Sequence, residues 1–302
     1  MELVKSGIHI DFVGKMKYAI IFSIILTIIS IASVILHGGL NLGIDFAGGS
    51  IIQVKFQKDM TADKIRDALK STRLENSIIQ QFGANEFLIR TPESFHDQKL
   101  LDENVNKPLS TTFGKDYEIR RVEIVGSKVG MDFQRKAIFA VILSWLAMLT
   151  YIAWRFEFRY GLGGIIALVH DVIIIIGTVS LLKMEFTISI LAAIFFIIGY
   201  SINDTIVVLD RIRENVKLNP RQKLAETINA SINQTLSRTI LTSFTVFLTV
   251  IALYIWGGPV LHDLAFSLLV GVVFGTYSSI FISCPIVLFF ENLQLAKLKR
   301  KK

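Results

Sequence analysis

The chain has 302 residues, of which 52% are hydrophobic, and its 32 Lys and Arg outnumber its 25 Asp and Glu to give a formal net charge of +7. The apolar residues are collected into long runs, which excludes an ordinary soluble protein and indicates membrane spans. The one cysteine, Cys284, excludes an internal disulfide and a cysteine-rich metal site, and the sequence predicts no cofactor or metal ion.

The first predicted element is a transmembrane helix at 18–36, which follows the short basic segment 1–17. Its apolar run is about long enough to cross the hydrocarbon core of a bilayer. A cleaved signal peptide would have a shorter apolar core and a cleavage site of small residues, and Ala32-Ser-Val-Ile-Leu-His37 does not offer a good one. We therefore expect this helix to be retained.

The next segment, 37–136, has the composition of a soluble domain. Alternation of apolar and polar residues predicts its strands, and Thr61 followed by helix formers predicts the start of a helix. In chain order the predicted elements are a strand at 51–56, a helix from 61, strands at 77–82 and 86–91, a helix at about 95–101 whose pattern continues toward 113, and a strand at 117–125. This βαββαβ order predicts one ferredoxin-like α+β domain.

The charges of this domain are mixed, with 14 acidic and 15 basic residues between positions 40 and 136. Its sequence contains no pattern typical of a metal cluster, a catalytic triad or a phosphate-binding loop. We therefore expect a binding or gating domain and not an enzyme.

Five further apolar runs raise the number of predicted transmembrane helices to six; they lie at 137–154, 162–182, 186–209, 239–256 and 264–290. Lys and Arg collect on one side of these spans, where 16 of them lie in segment 1–17, at 155 and 159, in the loop 210–238 and in the tail 291–302. The short loops on the other side contain only Lys183. This asymmetry predicts that both termini are cytoplasmic and that the domain at 37–136 is exoplasmic, and it explains the basic charge without a nucleic-acid partner.

Asp204 is the most unusual residue of the fourth span, because it precedes the charged end of that span by about six residues, or roughly 9 Å of helix. An ionisable group at this depth is costly unless it has a partner or faces a wet cavity, so a functional role is favoured. The structural alternative is an interfacial Asp that reaches water or bonds to a neighbouring helix. Tyr200 lies one helical turn away on the same face, and Asn203 is adjacent.

The fifth span begins at Arg238 and continues with Thr242, Thr245 and Thr249, which are spaced to form one hydroxyl stripe. Spans four and five are predicted antiparallel neighbours, so Asp204 and Arg238 are expected at similar depth. A carboxylate beside a fixed cation stays ionised, and one that is separated from it or dried takes up a proton. The alternatives are a stripe whose hydroxyls bond to carbonyls of their own helix and an arginine that snorkels to the membrane surface.

Two other spans have unusual faces. The third carries His170 and Asp171 near its middle, and Gly163 and Ala167 form a small-residue face that leads to the carboxyl. In the sixth, a ridge of small residues favours close helix packing, and its members are Gly271, Gly275, Ser279 and Ser283.

Four motifs are distinctive in their length and order: Leu42-Gly-Ile-Asp-Phe-Ala-Gly-Gly49, Gly199-Tyr-Ser-Ile-Asn-Asp-Thr-Ile-Val-Val-Leu-Asp-Arg-Ile-Arg-Glu-Asn215, Gln234-Thr-Leu-Ser-Arg-Thr-Ile240 and Gly257-Gly-Pro-Val260. Together with His170-Asp171 they resemble the SecD/SecF family, and its SecF branch in particular, over nearly the whole chain. The resemblance implies a helix bundle of the resistance-nodulation-division type in the cell inner membrane, with a small ferredoxin-like outer domain. Fused members of the family have twelve spans, so a chain with six implies a separate SecD partner.

The resemblance also implies a function. Members of the family assist protein secretion after its ATP-driven stage by drawing on the proton motive force, beside the SecYEG channel, and the implied partners include a YidC-type insertase and unfolded exported chains. The functional carboxylate and arginine of the family align with Asp204 and Arg238. The supporting polar path would then include Asp171, His170, Tyr200, Asn203, Thr242, Thr245 and Thr249.

Two other functions are compatible with the residues alone. One is a half-size transporter that exports a small molecule or lipid by the same proton chemistry. The other is a scaffold that holds SecD, the channel and an insertase together while Asp204 is merely structural. An intramembrane hydrolase is disfavoured because the sequence offers no nucleophile–base pair beyond His170-Asp171.

Overall fold

A small antiparallel sheet stands between the first and second of six long apolar helices in the computed structural model, which describes residues 9–70, 72–75, 77–95, 97–155 and 158–300. Each of the six helices is long and apolar enough to cross a membrane. The predicted fold class, a polytopic helical membrane protein with one inserted α+β domain, is therefore confirmed.

The inserted domain, called the sheet domain below, has the predicted βαββαβ order. Its elements are β1 (Gly49–Phe56), α3 (Ala62–Leu69), β2 (Ile78–Gly83), β3 (Glu86–Thr91), α4 (Gln98–Leu101), α5 (Lys107–Phe113) and β4 (Tyr117–Val125). A π-helical turn, Asp102–Asn106, joins α4 to α5, so that helical structure continues to Phe113. The strands are ordered β2-β3-β1-β4 and all pair antiparallel, which is the ferredoxin-like arrangement.

The alternation that predicted the strands also builds the domain's core. In β1 the side chains of Ile52, Val54 and Phe56 point to one face and are buried. Ile65 and Leu69 of α3 are one helical turn apart and fully buried against the same core. A shift of one residue in strand register would turn this apolar set to the opposite face, so the register is fixed by burial.

Taken together, the helices of the bundle extend beyond the apolar runs that predicted them. They are α1 (Phe12–Leu36), α6 (Ser127–Arg155), α7 (Phe158–Leu181), α8 (Ile188–Leu218), α9 (Leu224–Trp256), α10 (Gly258–Phe281) and α11 (Ser283–Arg300). Segment 210–238, predicted as a cytoplasmic loop, is mostly helical because α8 and α9 continue into it as a polar helical pair. The side-chain amide of Asn215 joins this pair by donating to Ser231 Oγ and Gln234 Oε1, both at 2.8 Å.

The sixth predicted span, 264–290, is covered by two helices, α10 and α11, which are separated at Ile282. Pro285 lies just beyond the interruption, and a proline has no N–H to donate to the carbonyl four residues earlier, here that of Phe281. Within the bundle α10 packs along α7, α8 and α9, whereas α6 contacts α2 and α7 but has none of its apolar window buried.

The Leu42–Gly49 motif joins the sheet domain to the bundle. Its short helix α2 (Ile44–Ala47) lies beside the connection between α7 and α8, where Gly43 N donates to Phe186 O at 3.0 Å. Asp45 Oδ2 accepts a hydrogen bond from Ile188 N at 3.0 Å, at the start of α8. At the end of the motif Gly49 has a φ of +140°, and a Cβ there would lie 2.2 Å from Thr91 O, so only glycine fits.

Two further contacts attach the sheet domain to the bundle. Arg90 on β3 forms an ion pair with Glu185 in the α7–α8 connection, at 3.1 Å between Nη1 and Oε2, and both side chains are largely buried. Strand β2 packs against α10. The sheet domain is therefore connected to the two helices, α8 and α10, that lie at the centre of the bundle.

Candidate functional site

Asp204 lies inside the bundle, where α8 faces α9. Only 3% of it is exposed, and Ser243 Oγ on α9 donates a hydrogen bond to its Oδ2 at 3.3 Å. The amphipathic pattern of α8 explains this position, because Ser201, Asp204 and Val208 follow one another at helical spacing on its buried face. The Asp204 carboxyl therefore points into the bundle, where it accepts a hydrogen bond from one hydroxyl, that of Ser243.

The hydroxyl of Ser243 belongs to a chain of hydroxyls that connects three helices. Thr276 Oγ1 on α10 lies 2.7 Å from Ser243 Oγ, and it also lies 3.3 Å from the Tyr200 hydroxyl on α8. Tyr200 was predicted to share a face with Asp204, and the structure places both in this group, called the Asp204 cluster below. Its members are Tyr200, Asp204, Ser243 and Thr276.

A second group, the Asp171 cluster, surrounds the carboxyl of α7. Asp171 is 1% exposed, and its Oδ2 accepts hydrogen bonds from Ser201 Oγ on α8 at 2.6 Å and from Ser278 Oγ on α10 at 2.8 Å. His170 Nδ1 lies 3.1 Å from the other oxygen, Oδ1. One buried carboxyl therefore ties three helices together.

The two clusters share α8 and α10. Ser201 precedes Asp204 by one helical turn on α8, and Thr276 and Ser278 are close neighbours on α10. Between them a Cβ on Gly275 would lie 3.1 Å from Ser201 Cβ and 3.7 Å from Asp171 Oδ2, so the helices approach closely there. Two buried carboxyls lined by hydroxyls can bind and release protons, whereas no group of three His, Cys, Asp or Glu suited to a metal ion occurs among the described residues.

Arg238 belongs to neither the Asp204 cluster nor the Asp171 cluster. Its side chain is exposed on α9, and the described residues show no hydrogen bond or ion pair between it and Asp204. The stripe of Thr242, Thr245 and Thr249 lies along the same outward side, with Thr245 and Thr249 exposed. The Thr245 hydroxyl donates to Thr242 O at 2.8 Å and that of Thr249 to Thr245 O at 3.0 Å, as the alternative of a backbone-bonded stripe expects.

Asn203 is also exposed, and as the residue next to Asp204 it lies about 100° around α8 from that carboxyl. Near it a Cβ on Gly199 would meet no atom within 4 Å. Arg238 and Asn203 are thus exposed polar residues of this single chain, as are Thr245 and Thr249 of the stripe, and this set is called the outer polar face below.

The small-residue ridge faces α8 of the same chain for half its length. A Cβ on Gly271 would lie 2.3 Å from Ile197 Cγ1, and Gly275 lies against Ser201. The hydroxyls of the other two members bond to backbone carbonyls, Ser279 to Thr276 O at 2.8 Å and Ser283 to Ser279 O at 2.6 Å. The first half of the ridge therefore provides space for α8 and its polar side chains.

Four residues of the two clusters were not selected by the sequence: Ser201, Ser243, Thr276 and Ser278. For Ser243 a signal was available, since it continues the row of Thr235 and Thr239 at a spacing of four, and this row is the buried face of α9. The outward threonines occupy another side of the same helix. No comparable pattern distinguishes Ser278 from its neighbour Ser279.

Comparison with known families matches most of this chain. The family model described as "Protein export membrane protein SecD/SecF, C-terminal" matches residues 105–293, and the model "SecD/SecF GG Motif" matches residues 33–60. The second match includes Gly48 and Gly49, at the junction of the sheet domain and the bundle.

Curated relatives match almost from end to end. The chain is 42% identical over 302 residues to the protein translocase subunit SecF of Calditerrivibrio nitroreducens, covering 97% of this chain and 98% of that protein. It is 44% identical over 298 residues to the protein translocase subunit SecF of Magnetococcus marinus, covering 96% and 95%.

Solved structures agree with the sequence relatives. The crystal structure of SecDF from Thermus thermophilus, described as a translocon-associated membrane protein, superposes with a TM-score of 0.84 at 36% identity over 95% of this chain. A crystal structure of SecDF in a super-membrane-facing form gives a TM-score of 0.76 at 36% identity over 100% of this chain. The chain spans about two fifths of these SecDF chains, 39% and 41% of their lengths.

Proposed function

The chain belongs to the SecD/SecF family of protein-export membrane proteins, as a multi-pass membrane protein of the SecF type, and from this premise we propose that it uses the proton motive force to promote late stages of protein translocation. In this proposal it acts together with a SecD partner and catalyses no covalent reaction of its own. Asp204 carries the proton, and Arg238 modulates its uptake and release.

The observation that carries this proposal is the placement of Asp204. Its carboxyl lies within the bundle on a spanning helix, 3% exposed, with the Ser243 hydroxyl as a partner and no cation in contact among the described residues. A buried carboxyl that no cation contacts changes its charge when its surroundings change. The driving force is adequate, because one charge crossing 100 mV is worth about 2.3 kcal/mol.

The outer polar face supports the proposal of a SecD partner. Arg238 and Asn203 are exposed at positions where a lone bundle would turn them toward lipid, and polar groups in lipid are costly. A second bundle packed there would shield them and bring Arg238 into a site shared between two chains. Solved SecDF chains contain more than twice the length that this chain covers, which leaves room for such a second half.

We further propose that the protein lies in the cell inner membrane with both termini in the cytoplasm and the sheet domain outside. The support is the charge of the loops, with 16 basic residues on one side and Lys183 alone in the short loops of the other. In this orientation the channel partner is SecYEG, a YidC-type insertase can join the assembly, and unfolded exported chains meet the sheet domain. Labelling from outside intact cells of a cysteine placed at Lys217 would contradict this orientation.

The contacts of the sheet domain suggest how a proton reaches the exported chain. The Arg90–Glu185 ion pair and the Asp45 bond to Ile188 N attach the domain to the start of α8, the helix that carries Asp204. A shift of α8 that accompanies a change in the charge of Asp204 would therefore also move the domain outside the membrane.

The test is protein export in inner-membrane vesicles with and without a proton gradient. Asp204→Asn keeps size and hydrogen bonding but cannot titrate, so we expect it to abolish the stimulation of export by the gradient while SecD binding and thermal stability stay unchanged. Asp263→Asn is the matched control, because Asp263 also lies on a spanning helix but is 26% exposed and paired with His262. Export by Asp204→Asn at the wild-type rate under a full gradient would refute the proton role and favour the scaffold function.

A further inference from the structure

We propose that Asp171 is a positioning residue, a proton-dependent clasp that joins α7 to α8 and α10 and that releases α10 when its carboxyl takes up a proton. The inference rests on the proposed function only in its last step, where the release of α10 affects Asp204. Its earlier steps depend on the geometry of the Asp171 cluster alone.

The first step concerns the direction of the hydrogen bonds. Oδ2 of Asp171 accepts from two serine hydroxyls, at 2.6 Å from Ser201 and 2.8 Å from Ser278. An ionised carboxyl only accepts hydrogen bonds, whereas a protonated one must donate from the oxygen that holds the proton. Both serine bonds are therefore charge-assisted while Asp171 is ionised, and they weaken when a proton from water binds Oδ2, because the neutral acid is a poorer acceptor and its new O–H must itself be donated.

The second step is an asymmetry between the two serines. The Ser278 hydroxyl has an alternative acceptor in its own helix, Gly275 O at 3.1 Å, so it can leave Asp171 without becoming unsatisfied. Ser201, the nearer of the two at 2.6 Å, accepts the new O–H of Asp171, and its own O–H then turns to a backbone carbonyl of α8, as serine hydroxyls in helices can. Protonation thus reverses the bond to α8 and breaks the bond to α10.

The third step concerns the other contacts that α10 makes. Thr276 lies on α10 two residues before Ser278 and contacts Ser243 Oγ at 2.7 Å, and Ser243 is the hydroxyl partner of Asp204. The same helix packs against β2 of the sheet domain. A released α10 would therefore loosen the Asp204 cluster inside the membrane and shift a contact of the sheet domain outside it.

Other titratable groups must be distinguished from Asp171 in any test by pH. The spanning parts of the helices packed against α7, together with α7 itself and the C-cap of α1, carry Lys15, Lys17, Tyr18, His37, Tyr151, Tyr160, His170, Tyr200, Asp204, His262, Asp263, Tyr277 and Cys284. His170 is adjacent to Asp171, and its Nε2 is buried with no hydrogen-bond partner among the described residues. His170→Gln therefore separates a contribution of the imidazole from that of the carboxyl.

The decisive experiment measures the distance between α7 and α10 as a function of pH in the full chain, co-purified with SecD in lipid vesicles. Spin labels at Leu181 and Val260, both 49% exposed near the ends of these helices, report this distance without entering either cluster. We expect a pH-dependent change in the wild type that Ser278→Ala loses, because α10 is then released at every pH, and that Ser201→Ala retains.

Ser267→Ala is the matched control, since Ser267 is a buried serine on α10 with no hydrogen-bond partner among the described residues, and it should behave as the wild type. In infrared spectra that compare two pH values, Asp171→Asn should remove a carboxylic-acid band that Asp204→Asn leaves in place. A wild-type distance change in Ser278→Ala, or a band that survives Asp171→Asn, would overturn the clasp. Either result would leave the proposed role of Asp204 standing, because that role is measured by export.

Discussion

The sheet domain and the helix bundle each have a hydrophobic core, but among the described residues only the core of the bundle contains buried carboxyl groups. The core of the sheet domain is aliphatic and aromatic, and the buried polar residues of its described part are Ser50, Ser77 and Thr91. The bundle instead buries Asp171 and Asp204 together with serines and threonines of six helices, α1 and α7 to α11. The sheet domain thus has a core of fixed apolar packing, whereas the bundle has internal polar contacts that can change.

The physical reason lies in the kinds of contact. Phe56 interlocks with Phe87, Phe113 and Tyr117, at ring-centroid distances of 5.9, 5.3 and 6.3 Å, and such a core has one well-packed arrangement. A serine or threonine hydroxyl can exchange a partner on another helix for a carbonyl of its own helix. Such hydroxyl contacts between helices can therefore be rearranged without opening a cavity.

Phe56→Ala should give the largest loss of stability, because it removes the aromatic centre of the sheet domain, which is 1% exposed. We expect the free energy of unfolding of the domain to fall by about 3–5 kcal/mol. Pulse proteolysis in urea, applied to the sheet domain of the full chain in vesicles, measures this value. The helix content of the bundle should stay unchanged, and loss of both together would contradict the division into two cores.

The sequence predicted the strands and the topology of the sheet domain, because both depend on local patterns of apolar and polar residues. Strand alternation predicted β3 at 86–91 and β4 at 117–125 with the observed bounds, and the order of elements predicted the ferredoxin-like topology. The six apolar runs likewise predicted six spans. Several helices were predicted too short, as in segment 210–238. The polar helical segments that pair there lie outside the apolar runs, so hydropathy does not reveal them.

The polar site was only partly predictable. Asp171 and Asp204 stand out in sequence because carboxyls in apolar runs are rare, but the serines that bond to them resemble any other serine. Which hydroxyl meets a carboxyl depends on how three helices rotate against one another, and this is a tertiary property. Thr245 shows the difficulty, since its spacing suggests a polar path while its side chain is directed outward.

Gly271→Ala tests the packing of the helix bundle, and its expected effect on stability is smaller than that of Phe56→Ala. The added Cβ would lie 2.3 Å from Ile197 Cγ1, so the Ile197 side chain or the two helices must shift, and overpacking of this kind costs about 1–3 kcal/mol. Gly275→Ala meets Ser201 Cβ only at 3.1 Å and should cost less. Thermal stability of the chain co-purified with SecD measures both, and equal stability of the two variants would refute this account of the ridge.

The smallest expected effect concerns Tyr117, a hydroxyl of the sheet domain that can be titrated outside the membrane. Its Oη donates a hydrogen bond to Asn106 O at 2.9 Å, so Tyr117→Phe should lower the stability of the domain at neutral pH by about 1 kcal/mol. Urea pulse proteolysis of wild type and variant, repeated from neutral to alkaline pH, measures the difference.

This difference should depend on pH in one direction. Burial raises the pKa of the Tyr117 phenol above its usual value, which the hydrogen bond with Ser110 partly opposes and the charge of Asp102 reinforces. The stability that the neutral phenol contributes is therefore fully present below the unfolded-state pKa, about 10, and is lost as pH rises through the higher folded-state pKa. The gap between wild type and Tyr117→Phe should narrow over that range, and a gap that widened would show that Tyr117 is not held as a buried neutral donor.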